Sequence, residues 1–129
     1  MDVCVLGSGS SGNCIYFGSP GGGMLVDAGM SRRQILLRLA TLGVTTADLH
    51  GICLSHEHDD HVSGARLLHL RDGLSLYANA GTAGGVDRAC APRVDKLNWR
   101  IFQTGQPFEL GPFRVEPSAD PHAPYDPVA

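Results

Sequence analysis

Six consecutive residues, His56-Glu57-His58-Asp59-Asp60-His61, set three imidazoles beside three carboxylates. In an extended segment, side chains two apart point the same way, so His56 and His58 can reach one ion while Glu57 points elsewhere. The chain is then expected to turn, with Asp60 and His61 opening a helix whose free backbone N–H groups an acid also satisfies. From there both can reach a second ion beside the first. Imidazole and carboxylate without a thiolate suit Zn²⁺, with Mn²⁺ or Fe as alternatives. Buried as structural filler, the same cluster would cost stability through repulsion and desolvation, so a metal-ligand role is the expectation.

The surrounding pattern supplies elements to hold such a cluster. Asp2 to Leu6 and Asn13 to Phe17 read as strands separated by a Gly/Ser loop, and Met24 to Asp27 as a third. Ser31 can cap a helix in which Ile35, Leu36, Leu39 and Leu42 recur at spacings of three and four until Gly43 ends it. Gly51 to Ser55 is a compact apolar run leading directly into the cluster, and Val62 to Leu70 is helical and closes near Gly73. Leu74 to Ala78 is a further strand and Thr82 to Cys90 a weak helix. Arg100 to Gln103, Pro107 to Leu110 and Phe113 to Glu116 are late strands. An order of roughly ββαβαβαβββ implies a layered α/β arrangement, a mixed sheet with helices on its outer face.

A chain of 129 residues with 43% hydrophobic content fits one domain. No apolar stretch approaches the roughly 20 residues of a membrane span, and the start Met1-Asp2-Val3-Cys4-Val5-Leu6-Gly7 lacks a secretory signal, so a cytoplasmic location is expected. Cys4, Cys14, Cys53 and Cys90 form no Cys-x-x-Cys pair and read as buried reduced thiols. A net charge of −3 argues against binding nucleic acid by bulk charge, while leaving room for a local basic groove.

Several motifs compete for attention. Gly7, Gly9 and Gly12 satisfy G-x-G-x-x-G with Asp27 about 20 residues on, as in a dinucleotide fingerprint. That fingerprint needs a helix directly after its third Gly, where Asn13 to Phe17 is strand-like. His50 and His69 are read as surface or helix-face residues. Trp99, Tyr16 and Tyr77 are read as core or rim rather than a base-stacking platform, and Asp126, followed by proline, as a turn residue.

The cluster matches the HxHxDH signature, and the chain thereby resembles the metallo-β-lactamase superfamily. Leu6-Gly7-Ser8-Gly9-Ser10-Ser11-Gly12-Asn13 and Leu25-Val26-Asp27-Ala28-Gly29 resemble the opening of its YycJ/WalJ-like branch. His122-Ala123-Pro124-Tyr125-Asp126-Pro127-Val128 resembles that branch's later His-Asp-Ala-x-Asp-Pro-Val segment. Asp59 stands where relatives often have Ser, and Ala123 where they have Asp.

The resemblance implies an αββα sandwich of which residues 1–129 form the N-terminal half, with the mixed sheet and its outer helices. It implies that His56, His58 and His122 bind one metal while Asp60 and His61 bind a second. Asp27 would hold a ligand His in the right tautomer from behind. The family completes its site with a bridging Asp and a further His beyond Ala129. The implied function is a metal-dependent hydrolase, a phosphodiesterase or nuclease acting on DNA or RNA through an activated water that Asp60 orients. A glyoxalase-like thioester hydrolase, a lactamase-like enzyme and a truncated, non-catalytic metal-binding fragment are the alternatives. One half alone would leave an apolar sheet face uncovered, so self-association through that face is expected.

Only one of the two implied sites reaches three protein ligands within this chain. Elemental analysis after dialysis should therefore find zinc nearer one ion per chain than two. Because binding needs neutral imidazoles, affinity should fall as pH drops through roughly 6.5. A metal content near zero at neutral pH without chelator would contradict the ligand assignment.

Overall fold

Six strands paired in chain order, β1-β2-β3-β4-β5-β6, organise the molecule. In this computed structural model, residues 2–9, 12–55, 62–90 and 97–117 are described. The strands are β1 (Asp2–Gly7), β2 (Cys14–Ser19), β3 (Gly22–Val26), β4 (Leu49–Cys53), β5 (Leu76–Ala78) and β6 (Trp99–Ile101). The helices are α1 (Arg32–Thr41), α2 (Ala65–Asp72) and α3 (Ala80–Cys90), joined by a 3₁₀ turn at Thr46–Asp48. Three strands precede the first helix, as the individual strand readings expect, so the order ββαβαβαβββ is one strand short there. The strands β7 (Phe108–Leu110) and β8 (Phe113–Val115) leave the main sheet and, among the described residues, pair only with each other.

The topology explains where everything sits. β1, β2 and β3 are antiparallel neighbours, whereas β3, β4, β5 and β6 run parallel. Each parallel step needs a crossover, and because all three steps move in one direction with one handedness, α1, α2 and α3 fall on the same face. That face is the larger core. Ile35 and Leu39 of α1, Ala65 and Leu68 of α2, and Ala83 and Val86 of α3 pack on Leu6, Cys14, Leu25, Ile52, Leu54, Leu76 and Ala78. The opposite face carries Met24 and Cys53, which the β7–β8 hairpin covers with Leu110 and Val115, joined by Phe102. The cover does not reach edge strand β1, where Val3 and Val5 are each 60% exposed. Among the described residues no helix is long and apolar enough to cross a membrane.

Element boundaries follow local hydrogen bonding, and several depart from the sequence expectation. The Ser31 side chain accepts from the Gln34 amide at 3.2 Å, as its capping role predicts. α1 nevertheless ends at Thr41, and Leu42 becomes an exposed cap residue outside the apolar stripe. After α2, Gly73 adopts φ 72° and the Leu74 amide bonds back to the Leu68 carbonyl. His69 Nδ1 takes the Leu74 carbonyl at 2.7 Å. Leu74 is thus spent on closing the helix, and β5 starts two residues later than expected. α3 starts earlier, because the Asn79 side chain accepts from the Thr82 amide at 2.8 Å and caps it. Finally, Phe102 leaves the strand at the end of β6 and enters the hairpin-side core, so β6 covers 99–101 rather than 100–103. The ends of α1 and α2 are tied by a two-pronged ion pair, with Arg32 Nε 2.7 Å from Asp72 Oδ2 and its terminal nitrogen 3.0 Å from Oδ1.

Cys14 and Cys53 are fully buried free thiols on opposite faces of the sheet, and Cys4 is half-buried. The side chain of Cys90 lies outside the described residues. Burial, and secondarily the negative charge of Asp27, pushes the Cys14 thiol up to about 12, and the same two causes push Cys53 up as well. A folded-state value raised above the unfolded one means that this contribution to stability is complete below about 8.5, the ordinary thiol value, and is lost as pH rises towards 12. Native protein treated with iodoacetamide at pH 9.5 should therefore be alkylated at Cys4 while Cys14 and Cys53 react only after unfolding. Labelling of Cys14 at the rate of a free thiol would contradict this.

Candidate metal centre

β1, β3, β4 and β5 all run the same way, so the loops after them gather at one edge of the sheet, where open α/β sheets place their sites. The centre of this edge is Asp27. Its amide donates to the Cys53 carbonyl at 2.8 Å, extending the β3–β4 ladder by one bond. Its backbone then turns to φ 63°, the left-handed region that Asp tolerates better than most residues. Asp27 Oδ1 accepts from the Ser55 amide at 2.8 Å, and Oδ2 accepts from the Ser55 hydroxyl at 2.6 Å. Both residues are only 6% exposed. A buried carboxylate receiving two donors in a low-dielectric setting makes strong bonds. Ser55 is the residue immediately before His56.

The segment is anchored at its far end by the same loop. The Ser63 hydroxyl donates to the Gly29 carbonyl, and the Gly64 amide donates to the Ala28 carbonyl at 2.7 Å. Gly64 has no room for a side chain, since a Cβ there would meet the Met30 carbonyl and would lie 3.0 Å from Ile35 Cδ1. On its other side, loop 27–31 is held by the β1–β2 turn. The Gly29 amide donates to the Asn13 carbonyl at 2.9 Å, and a Cβ on Gly12 would lie 2.8 Å from the Gly29 backbone. Gly12 itself sits at φ 120°, where other residues are strained. The Asn13 side chain then pins the turn, accepting from the Gly9 amide at 3.2 Å and donating to its carbonyl at 3.3 Å.

Ser55 and Ser63–Gly64, which flank residues 56–61 in the chain, are thus both gripped by loop 27–31. His56, His58, Asp60 and His61, and also His122, lie outside the described residues, as do Glu57, Asp59 and Ala123. Among the described residues no three His, Cys, Asp or Glu side chains gather to hold an ion. Asp27 is the one expected site residue whose contacts are visible, and the contacts seen are to Ser55. Ser55, Ser63 and Gly64 went unmarked in the sequence. Their signal was position, small residues flanking the ligand run on both sides.

The competing motifs resolve in the same geometry. β2 begins at Cys14, directly after the Gly-rich turn, so the G-x-G-x-x-G run opens no helix and cannot cradle a dinucleotide. His50 Nε2 donates to the Gly21 carbonyl at 2.8 Å, wedged against Gly22 and Gly111. His69 Nε2 accepts from the Asn98 amide at 3.1 Å, so its proton sits on Nδ1, facing the Leu74 carbonyl. Both histidines are committed to backbone groups. Tyr16 and Trp99 pack against the larger core, and Trp99 Nε1 donates to Asp87 at 2.9 Å.

Residues 7–85, more than half of the chain, match the sequence profile of the metallo-beta-lactamase superfamily. The exodeoxyribonuclease WalJ of Streptococcus pneumoniae is 35% identical over 113 residues, covering 87% of this chain and 42% of that protein. The exodeoxyribonuclease YycJ of Bacillus anthracis is 34% identical over 132 residues, covering 99% of this chain and 48% of its own length. The chain therefore spans less than half the length of either nuclease. Among solved structures, the metallo-beta-lactamase SMB-1 in complex with mercaptoacetic acid superposes with a TM-score of 0.73 at 21% identity, over 92% of this chain and 51% of that one. That likeness concerns the fold, in which divalent metal binding is the rule. With the profile match, the ordered strand-edge loops and the two related nucleases, this chain belongs to the metallo-beta-lactamase superfamily.

Proposed function

We propose that this chain carries the metal-binding part of a metal-dependent nuclease, a phosphodiesterase whose substrate is nucleic acid, with DNA the leading substrate. The observation that carries it is the buried Asp27–Ser55 clamp at the entrance to His56-Glu57-His58-Asp59-Asp60-His61. The 35% identity with an exodeoxyribonuclease supports DNA over thioesters or lactams. The donor set fits a borderline metal such as zinc, being imidazole and carboxylate with no thiolate in the run itself, and burial holds the Cys14 and Cys53 thiols in their protonated form. His56, His58 and His122 would hold one ion, and Asp60 and His61 a second. When bound, such ions polarise the phosphoryl oxygen and lower the pKa of an attacking water.

The remaining work falls to this chain's own residues. Ser55, gripped by Asp27, fixes the direction in which the chain leaves β4, so His56 and His58 start from a rigid strand end rather than a free loop. Ser63 and Gly64 are held on the other side of the run. Asp60 would accept a hydrogen bond from the attacking water and orient it towards the phosphorus.

Two measurements test these roles. In Asp27→Asn, an amide NH₂ replaces one of the oxygens that Ser55 needs, so zinc affinity measured against a competing chelator should fall by about 10–100-fold. Unchanged affinity would remove Asp27 from the site. The enzyme extended to the length of its relatives should cleave DNA, and Asp60→Ala should lower that activity by at least about 100-fold. A full-length enzyme inert towards nucleic acid and simple phosphodiesters but active on thioesters would replace the nuclease by a glyoxalase-like hydrolase.

A further inference from the structure

On the hairpin side of the sheet, a cavity of about 460 Å³ opens at edge strand β6. Its wall is a column of flat groups. Phe102 and Phe108 stack with centroids 4.8 Å apart and planes 14° from parallel, and Phe108 stacks in turn on Tyr77 at 5.7 Å and 15°. The register of β5 and β6 puts Arg100 directly beside Tyr77, and its guanidinium lies over the Tyr77 ring at 5.8 Å. A cation therefore lies beside the column. Tyr77 contacts both Phe108 and Arg100, whereas the side chain of Arg100 is exposed and makes no ion pair or hydrogen bond among the described residues.

We propose that this cavity is a base-binding subsite for single-stranded nucleic acid, in which the Arg100 guanidinium, beside the Tyr77–Phe108–Phe102 column, is the platform on which a base stacks. A guanidinium plane is a standard partner for an unstacked base, and a cation already placed over a ring loses less rotamer freedom on binding. Gln103 and Gln106 line the same cavity and offer amide donors and acceptors to a base edge. Glu109 also lines it. A carboxylate there repels a phosphate, so the group that enters is the base and the phosphates stay outside. Location fits as well: the Tyr77 carbonyl accepts from the Leu54 amide at 2.8 Å, two residues before His56. β6 lies two strands from β4, about 10 Å at ordinary sheet spacing, which is within a nucleotide or two of the segment proposed to hold metal. A net charge of −3 gives the chain no general attraction for a polyanion, so binding has to come from a local feature of this kind.

The proposal rests on the nucleic-acid reading of the metal centre but is tested without cleavage. Fluorescence anisotropy in EDTA would compare a labelled oligothymidylate with an abasic phosphodiester strand of equal length and charge. The chain should prefer the strand that carries bases, and Arg100→Ala should weaken oligothymidylate binding roughly tenfold while barely changing the abasic strand. Arg100→Lys keeps the charge and loses the plane, and should weaken binding nearly as much. Arg114→Ala removes an equal charge on β8, from an exposed ion pair with Glu116, and should have little effect. Equal binding of the two strands, full affinity in Arg100→Lys, equal losses in the Arg100 and Arg114 variants, or no binding at all would each overturn the subsite. Failure of the nuclease reading would show separately, in the cleavage assay of the full-length enzyme.

Discussion

The carboxylate of Asp27 is buried and receives two hydrogen bonds from a single residue, Ser55, 28 positions further along the chain. Taking a charge out of water is expensive unless it is fully paired, so this contact constrains everything around it. The left-handed turn at Asp27 costs on the order of 1–3 kcal/mol, and it persists because it aims the side chain across the end of β4. Once that geometry is set, Ala28 and Gly29 present carbonyls to Gly64 and Ser63, and Gly29 presents its amide to Asn13. One five-residue loop thus fixes the departure and the return of the segment that carries the HxHxDH run.

The sheet order makes that concentration possible. With β3 to β6 parallel and their helices all on one face, the other face is free for a different cover, here the β7–β8 hairpin and its aromatic column. The same order lines up the ends of β1, β3, β4 and β5, which supplies three loops within bonding distance of one another. Helical packing and site construction therefore use different parts of the sheet. A change in the α-helical core can alter stability while leaving the loop contacts intact, whereas an added methyl at Gly12 or Gly64 pushes directly on loop 27–31.

Much of this was legible in the sequence, because it rests on local rules. The Ser31 cap, the core positions Ile35 and Leu39, the apolar run ending at Ser55 and the strand after the Gly-rich turn follow from spacing and residue type. The dense set of imidazoles and carboxylates at 56–61 marks a candidate site by composition alone, and it lies outside the described residues. What stayed hidden was decided by contacts between distant residues. Nothing near Asp27 announces Ser55 as its partner, nothing near Leu74 says that His69 will take its carbonyl, and nothing near Pro107 says that the last two strands will fold away from the sheet. The Arg100 column was hidden for the same reason: it needs β5 and β6 in register and the hairpin folded over them.

If the clamp is a property of the fold, it exists before any metal arrives. Amide hydrogen exchange followed by NMR on the metal-free chain reads this directly at Ser55, whose N–H points at Asp27. The account predicts slow exchange at Ser55 in the absence of metal, close to that of neighbouring β4 amides, with little further protection when zinc is added. Exchange at Ser55 as fast as in an open loop, with protection appearing only on zinc binding, would contradict it, because the metal and not Asp27 would then be what orders the entrance to the site.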